Sequence, residues 1–499
     1  MPCGDATPPD RPHAPLSVPE LPPPPVLPAP LQAALQAVRT VGRPLLVGGC
    51  VRDWLAGRPA KDFDIEVFGV TPDQLATTLS RFGATDPVGR SFGVLKLRLA
   101  GVDYDFSLPR RETKTAAGHR GFDVGVDPQL PPVDALARRD FTLNAMALDP
   151  LTGELVDPHG GRRDLAAGVL RHTSAAFVED PLRVLRAMQF AGRFALTLAP
   201  ETAALCRRIA GTFAELPVER VWVEWEKWAA HSRRPSAGLH VLRETGWLEH
   251  FPEIAALVGV PQDPEWHPEG DVFTHTAHCV DALAALPEWQ ALAPALRRDV
   301  MFAILAHDFG KPATTRQEEK RGRLRWVSPN HDNAGGPLAD SFLARIGSPL
   351  DTRPFVRVLV ENHFAHLGWP ADGEPAPNFV RRLARRLAPA TIEQLLLVLR
   401  ADHLGRPPNV CAATERRIGQ LAAAARALAI ADAAPRPLLL GRHLLAAGLT
   451  PSPQFKTILD AAYEAQLDGA FTDAAGAAAW LTGHLTPPLP DQSAPPAAQ

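Results

Sequence analysis

The chain has 499 residues, 45% of them hydrophobic, and a formal net charge of −3 at neutral pH; it is too long for one core and is expected to divide into three or more domains. No run of about twenty uncharged apolar residues occurs, which excludes a membrane-spanning helix, and the slightly acidic balance excludes a chain that binds nucleic acid by bulk positive charge. Five cysteines, Cys3, Cys50, Cys206, Cys279 and Cys411, are widely separated, with no C-x-x-C pair, against a disulfide framework or a cysteine zinc site.

Residues 1–30 and 486–499 are rich in proline and are expected to be disordered tails. The N-terminus lacks the basic start and apolar core of a signal peptide, so a cytoplasmic protein is expected. The first folded block, 31–165, opens with a helix over 31–39 and an apolar strand over 44–47. The pair Gly48-Gly49 follows, then a short helix carrying Arg52 and Asp53. The next strand holds Asp62-Phe63-Asp64-Ile65-Glu66-Val67. If its apolar residues alternate with acids, Asp62 and Asp64 project from one face as hard oxygen ligands that suit Mg²⁺. Such alternation alone also describes the solvated face of any half-buried strand. A glycine pair just before it lets backbone N–H groups approach a phosphate, with Arg52 near enough to offset its charge.

A helix over 71–82 and a hairpin over 93–108, turning near Gly101, complete the head. Asp103 and Asp105 share a face of the second hairpin strand, so one of them can complete a carboxylate set with Asp62 and Asp64. Arg110, Arg111, Lys114, His119 and Arg120 form a loop-like basic stretch. Arg381, Arg382, Arg385 and Arg386 form a second basic cluster, on one side of a helix. Beyond residue 175 strand signals nearly vanish, and 180–485 read as almost wholly helical. The fold class is therefore α+β, a small mixed α/β head followed by an extended, almost all-helical body.

Five motifs in order carry a resemblance: Gly48-Gly49-x-Val51-Arg52-Asp53, Asp62-x-Asp64, Arg138-Arg139-Asp140 with Asn144, Glu179-Asp180-x-x-Arg183, and Glu219-Arg220 with Glu224 and Lys227. The chain resembles the bacterial tRNA nucleotidyltransferase (CCA-adding) and poly(A) polymerase family, which implies a polymerase beta-like head. In-line transfer at an α-phosphorus suits two metal ions on Asp62 and Asp64. Asp105 resembles the third acid of such folds, as ligand or base. Asp140 and Asn144, four apart, fit one helical turn, and with Arg138 and Arg139 they are expected at the ribose and triphosphate. Asp180 and Arg183, three apart at a helix start, point into one pocket. Cytosine and adenine each present an exocyclic amino group that a carboxylate accepts, and the resemblance implies that this pair reads the incoming base. Trp222, Trp225 and Trp228 read as core packing.

Downstream, His275, the doublet His307-Asp308 and the distant Asp402 resemble the HD phosphohydrolase superfamily. Imidazole and carboxylate together suit Ni²⁺, Mn²⁺ or Mg²⁺. His331, His363 and His366 are further candidates for a second ion or a phosphate.

The resemblance implies addition or repair of the tRNA 3′-terminal CCA from CTP and ATP, with Mg²⁺. The basic residues Arg110, Arg111, Lys114 and Arg120 are expected to contact RNA. An A-adding enzyme or poly(A) polymerase is the alternative within the class. An HD phosphohydrolase with an RNA-binding head is the alternative outside it. The expected segments are a nucleotidyltransferase head over 31–165, a helical neck over 166–262, an HD domain over 263–410 and a C-terminal helical region over 411–485.

Overall fold

The computed structural model describes residues 21–59, 62–86, 93–114, 122–408 and 411–485. It divides after Phe251 into two compact units. Among the described residues, no helix is long and apolar enough to cross a membrane.

The head is built on nine short strands: β1 Arg43–Val47, β2 Asp64–Phe68, β3 Thr85–Asp86, β4 Val94–Leu99, β5 Val102–Ser107, β6 Arg110–Lys114, β7 Phe122–Val126, β8 Ala147–Leu148 and β9 Leu155–Val156. Seven form one mixed sheet in the order β3-β4-β5-β2-β1-β8-β9, while β6 and β7 pair separately. Within that sheet β2 and β5 run parallel and the other neighbours antiparallel.

The two faces follow the period-2 alternation of the strands. Leu46, Ile65, Val67, Tyr104 and Phe106 point to one face, where they share a core with Leu31 and Leu35 of α1 (Ala29–Arg39), Val51 and Trp54 of α2 (Gly49–Leu55), and Leu75 and Leu79 of α3 (Pro72–Leu79). Leu45 and Val47 pack on the other face with Leu136 and Ala147. Asp64 and Glu66 alternate with Ile65 and Val67 along β2, so the pleat turns them away from the helical face. Trp54 Nε1 donates to the Pro23 carbonyl at 2.7 Å, so the last part of the proline-rich N-terminal stretch lies on the head. The earlier part and residues 486–499 fall outside the described residues.

The rest of the first unit is helical apart from the short parallel pair β10 Val169–Leu170 and β11 Thr197–Leu198. Its main members are α4 (Leu182–Phe194) and α5 (Val218–His231). Trp225 and Trp228 of α5 are fully buried, and Trp228 Nε1 donates to Pro235 O at 3.0 Å; they are core residues.

The second unit comprises α6 (Val272–Ala285), α7 (Pro294–Ala306), α8 (His331–Arg345), α9 (Thr352–Glu361), α10 (Pro377–Arg386), α11 (Ile392–Leu404), α12 (Ala412–Ala427), α13 (Pro453–Asp468) and shorter helices. It departs from the all-helical expectation at one hairpin, β12 Arg316–Lys320 with β13 Arg323–Val327. Its turn places Arg321 and Gly322 at φ 55° and 72°, as a two-residue hairpin requires. The charged run Arg-Gln-Glu-Glu-Lys hides the strand, because its side chains are mostly exposed and carry no apolar alternation.

Both basic clusters take other forms than a free charged surface. Arg110 to Lys114 is a strand rather than a loop, and Arg111 pairs with Asp127 at 2.7 Å. Arg120 and His119 lie outside the described residues. On α10, Arg382 pairs with Glu464 and Asp468, Arg385 with Glu464, and Arg386 with Asn362. Arg382 and Arg385 form a charged seam against α13, while Arg386 turns to Asn362.

Ile65 is fully buried where β2 meets the helical layer. Ile65→Ala should cost about 2–5 kcal/mol, read as a lower urea midpoint by circular dichroism.

Candidate functional site

The head site begins at the parallel pair of strands. Asp64 opens β2 and stands directly opposite Asp105 on β5. Ser107 Oγ donates to Ile65 O at 3.1 Å and helps hold this register. Asp62, two residues before Asp64, is also exposed. Partial burial pushes the Asp64 carboxyl above its ordinary range; Arg139 pulls against this, and the charges of Asp105 and Asp62 add to the rise. A hard divalent cation would relieve the cost of ionising Asp64 beside Asp62 and Asp105, so the donors fit Mg²⁺. Lys96 reaches Asp105 at only 3.9 Å and both side chains are exposed, so it compensates that charge weakly.

Gly48 leaves β1 at φ 75°, and a Cβ there would lie 2.8 Å from Arg139 Nη1. Glycine is required twice, by the backbone angle and by the close approach of the guanidinium. Arg139 also reaches Glu66 at 3.5 Å. It stands between Asp64, whose ionisation it favours, and a cavity of about 370 Å³ lined by Arg110, Arg138, Asp140, Asp180, Arg183 and Arg220, among others. Arg139 and Arg186 line it too. Six arginines against two aspartates make it a receptor for a multiply charged anion.

The expected helical turn from Arg138 to Asn144 is broken. A helix ends at Ala137, and Thr142–Asn144 forms a separate 3₁₀ turn. Asp140 and Asn144 nevertheless face one another, Asn144 Nδ2 donating to Asp140 Oδ1 at 3.0 Å. Arg186 donates to Asp140 Oδ2 at 2.7 Å, and Arg52 Nη1 donates to Asn144 Oδ1 at 2.7 Å. Arg52 is buried, bonds Asp53 as well, and lies over the Phe194 ring at 4.4 Å. The sequence places Arg52 at a phosphate; the structure commits it to this buried chain, because its guanidinium faces Asn144 and α4. Burial opposes ionisation of Asp140, but Arg186, Asn144 and the Phe141 N–H outweigh it and hold the carboxyl below its ordinary range.

Asp180 precedes α4, accepting from Leu182 N–H at 3.1 Å and from Arg220 at 3.1 Å. Arg183 donates to the carbonyls of Ala176 and Arg138, each at 2.8 Å. Both are therefore pre-positioned on the cavity wall. The sequence reading missed Arg186, whose only signal is its place one turn beyond Arg183 on the same face. It also missed Arg110 as a cavity residue, since a strand cannot be inferred from a run of charge.

A second centre lies in the helical unit. His275 Nε2 is 3.1 Å from Asp402 Oδ1, and His307 Nε2 is 3.2 Å from Asp308 Oδ2. His331 Nε2 lies 3.2 Å from Asp308 Oδ1 and 3.2 Å from His363 Nε2. All six are buried. Gly310 permits this: a Cβ there would meet His331 O at 2.1 Å, so glycine after the doublet lets α8 reach it.

The histidines share one arrangement. Nδ1 of His307, His331 and His363 faces the carbonyl of Ile304, Ser328 or Val360 at 2.6–2.7 Å, and Nδ1 of His275 faces Glu269 at 2.8 Å. Each contact fixes Nδ1 as the donor and turns an Nε2 lone pair inward, as in histidines that bind metal. His307 Nε2, 3.2 Å from Asp308 Oδ2, is buried without an aligned hydrogen bond, and burial, with His331 and His307, pushes His363 down to about 3, so it is neutral at physiological pH. The donor set fits one or more divalent ions. Lys311 pairs with Asp308 at 2.8 Å and Arg406 grips both oxygens of Asp402. Cys279 also joins this cluster. His366 is buried and its imidazole is likewise pushed down, to about 4.

A mixed-sheet head of this topology on a helical body is the architecture of a nucleotidyltransferase. The family described as the poly A polymerase head domain matches residues 45–171, and that described as a probable RNA and SrmB-binding site of polymerase A matches 195–257. The chain is 40% identical over 371 residues to a multifunctional CCA protein of Xanthomonas campestris, spanning 72% of this chain and 85% of that protein. It is 37% identical over 370 residues to one from Cupriavidus metallidurans, spanning 72% and 84%. Among solved structures it is similar to the Bacillus stearothermophilus CCA-adding enzyme in complex with CTP, with a TM-score of 0.61 at 23% identity, covering 92% of this chain and 98% of that one. The Thermotoga maritima CCA-adding enzyme complexed with tRNA gives 0.56 at 20% identity, covering 92% and 97%. The chain belongs to the multifunctional CCA protein family of tRNA nucleotidyltransferases.

The buried pair gives a stability test. Arg186→Ala leaves Asp140 without its main partner and should cost about 2–3 kcal/mol, at the lower end for a broken buried pair because Arg186 keeps 32% of its side chain exposed. Arg98→Ala, which removes an exposed pair with Asp103, should cost no more than about 1 kcal/mol. Because folding lowers the Asp140 pKa, its contribution is complete above the ordinary carboxylate range and lost as pH falls below it. The difference between wild type and Arg186→Ala in urea melts should shrink on acidification.

Proposed function

We propose that the head adds or repairs the 3′-terminal CCA of tRNA from CTP and ATP, in the cytoplasm. The observation that carries this reading is the Asp64–Asp105 pair beside a cavity lined by six arginines. Asp62 and Asp64 would hold Mg²⁺, which when bound would activate the primer 3′-oxygen and offset charge on the pyrophosphate. Asp105, in register with Asp64, is placed to share the ion or to take the proton from the primer hydroxyl. Arg139 and Arg138 receive the triphosphate, and Gly48-Gly49 keeps the turn beside it free of side chains, with Arg139 lying close over Gly48. Asp180 accepts the exocyclic amino group of cytosine or adenine, and Arg183 donates to the neighbouring ring nitrogen or carbonyl. Asp140, Asn144 and Arg52 position these groups through the buried chain. Arg110 joins the anion cavity, and RNA contact is proposed for Arg111 and Lys114 of the same strand.

Transcripts ending before CCA, after C and after CC, supplied with labelled CTP or ATP singly and together, test the reading. Incorporation of C then A is expected. Incorporation of A onto CC alone would indicate an A-adding enzyme; no incorporation with Mg²⁺ present would refute nucleotidyl transfer. Asp64→Ala should abolish transfer while tRNA binding survives. Arg183→Ala should relax discrimination against UTP and GTP by about tenfold or more; unchanged discrimination would remove it from base reading.

A second activity is favoured by the buried, inward-facing imidazoles of the helical unit. His275, His307, Asp308 and Asp402, with His331 and His363, would hold Ni²⁺, Mn²⁺ or Mg²⁺, which would activate water for hydrolysis of a phosphoester. Hydrolysis of 2′,3′-cyclic AMP should vanish in Asp308→Ala while nucleotide addition persists. Loss of both activities together would point to a folding defect instead.

A further inference from the structure

Cys279 occupies a place in the helical unit that the lone-cysteine reading of the sequence does not anticipate. It follows His275 by four residues on α6, so both side chains leave the same face of the helix. Its Sγ is 3.3 Å from His275 Nε2. Cys279 Sγ, His275, His307 and Asp402 each offer one ligand atom, all within 4.8 Å of one another and all buried.

Two independent features mark this as a built position rather than a small filler. A Cβ on Gly405, just after α11, would lie 2.3 Å from Cys279 Sγ, so glycine there opens the space that the sulfur fills. His307 Nε2 points into the cluster from a residue only 1% exposed and is without an aligned hydrogen bond. Glu269 and the Ile304 carbonyl meanwhile hold Nδ1 of His275 and His307 as donors, leaving both Nε2 lone pairs aimed at the space beside the sulfur.

We infer that Cys279 is a metal ligand, and that His275, Cys279, His307 and Asp402 form a four-donor sulfur, nitrogen and oxygen position for a thiophilic divalent ion of the Zn²⁺, Co²⁺ or Ni²⁺ kind. Asp308, His331 and His363 form a separate sulfur-free donor group beside it. This rests on the reading of the second unit as a metal centre and sharpens its ion preference: a thiolate selects against Mg²⁺. Binding forms a metal–sulfur bond and releases the thiol proton to solvent, with no change of oxidation state.

Full-length protein stripped with a chelator and reloaded with Co²⁺ provides the test. A near-ultraviolet thiolate-to-cobalt charge-transfer band is expected in the wild type. It should be retained in Cys411→Ser, whose cysteine lies outside the cluster, and lost in Cys279→Ser, with affinity for Zn²⁺ falling by more than about tenfold. Tightly bound cobalt without the band in the wild type, or a band that survives Cys279→Ser, would overturn the assignment of Cys279 while leaving a metal centre in place. Failure of the wild type to retain any cobalt or zinc at this centre would overturn both. The wild-type spectrum decides the matter even if Cys279→Ser does not fold, and nucleotide addition by the variant reports its integrity.

Discussion

The first unit is organised around one buried polar chain, Arg186 to Asp140 to Asn144 to Arg52. A carboxylate and two guanidinium groups withdrawn from water are costly, and they persist only when each is paired with good geometry. Here the pairing ties together three separate pieces of sequence: the helix after the glycine turn, the segment after Arg139, and α4 with Arg183 and Arg186. Removing any member leaves another buried and unsatisfied. The same contacts fix the anion cavity relative to the carboxylates of the sheet, so stability and placement of the site come from one set of bonds.

The two centres represent different solutions to holding an ion. In the head, carboxylates sit side by side on adjacent parallel strands, and partial burial with the neighbouring charges raises Asp64, a cost that a cation would relieve. Such a site stays open to water and substrate and suits an ion that keeps part of its hydration shell. In the helical unit the ligands are buried, four imidazoles have their outer nitrogens held, and the acids are gripped by Lys311 and Arg406. That centre is preformed and enclosed, closer to the architecture of sites for transition ions.

Much of this was legible in the residues. Ile65 and Val67 alternating with acids gave the strand and its faces, because the side-chain period of a strand leaves few options when one face must be buried. The His307-Asp308 doublet, His275 and Asp402 lie side by side in the helical unit. What was not legible depends on pairing across long separations. Nothing in the composition says that Asp105, rather than Asp103, aligns with Asp64; the parallel register decides it. Arg52 looked like a phosphate ligand because its partner Asn144 lies 92 residues away. The charge of β12 and β13 masks their hairpin, and Cys279 has its partner in His275, one helical turn away, rather than in another cysteine.

The central claim is that the buried chain positions the base-reading pair and takes no direct part in transfer. It is tested most directly by single-turnover incorporation in Arg186→Lys, which keeps a charge opposite Asp140 but loses the planar, multi-donor fork. The account predicts weaker CTP and ATP binding and poorer rejection of UTP, with the Mg²⁺ dependence of the chemical step unchanged. Wild-type discrimination, or a defect confined to the Mg²⁺ response, would contradict it.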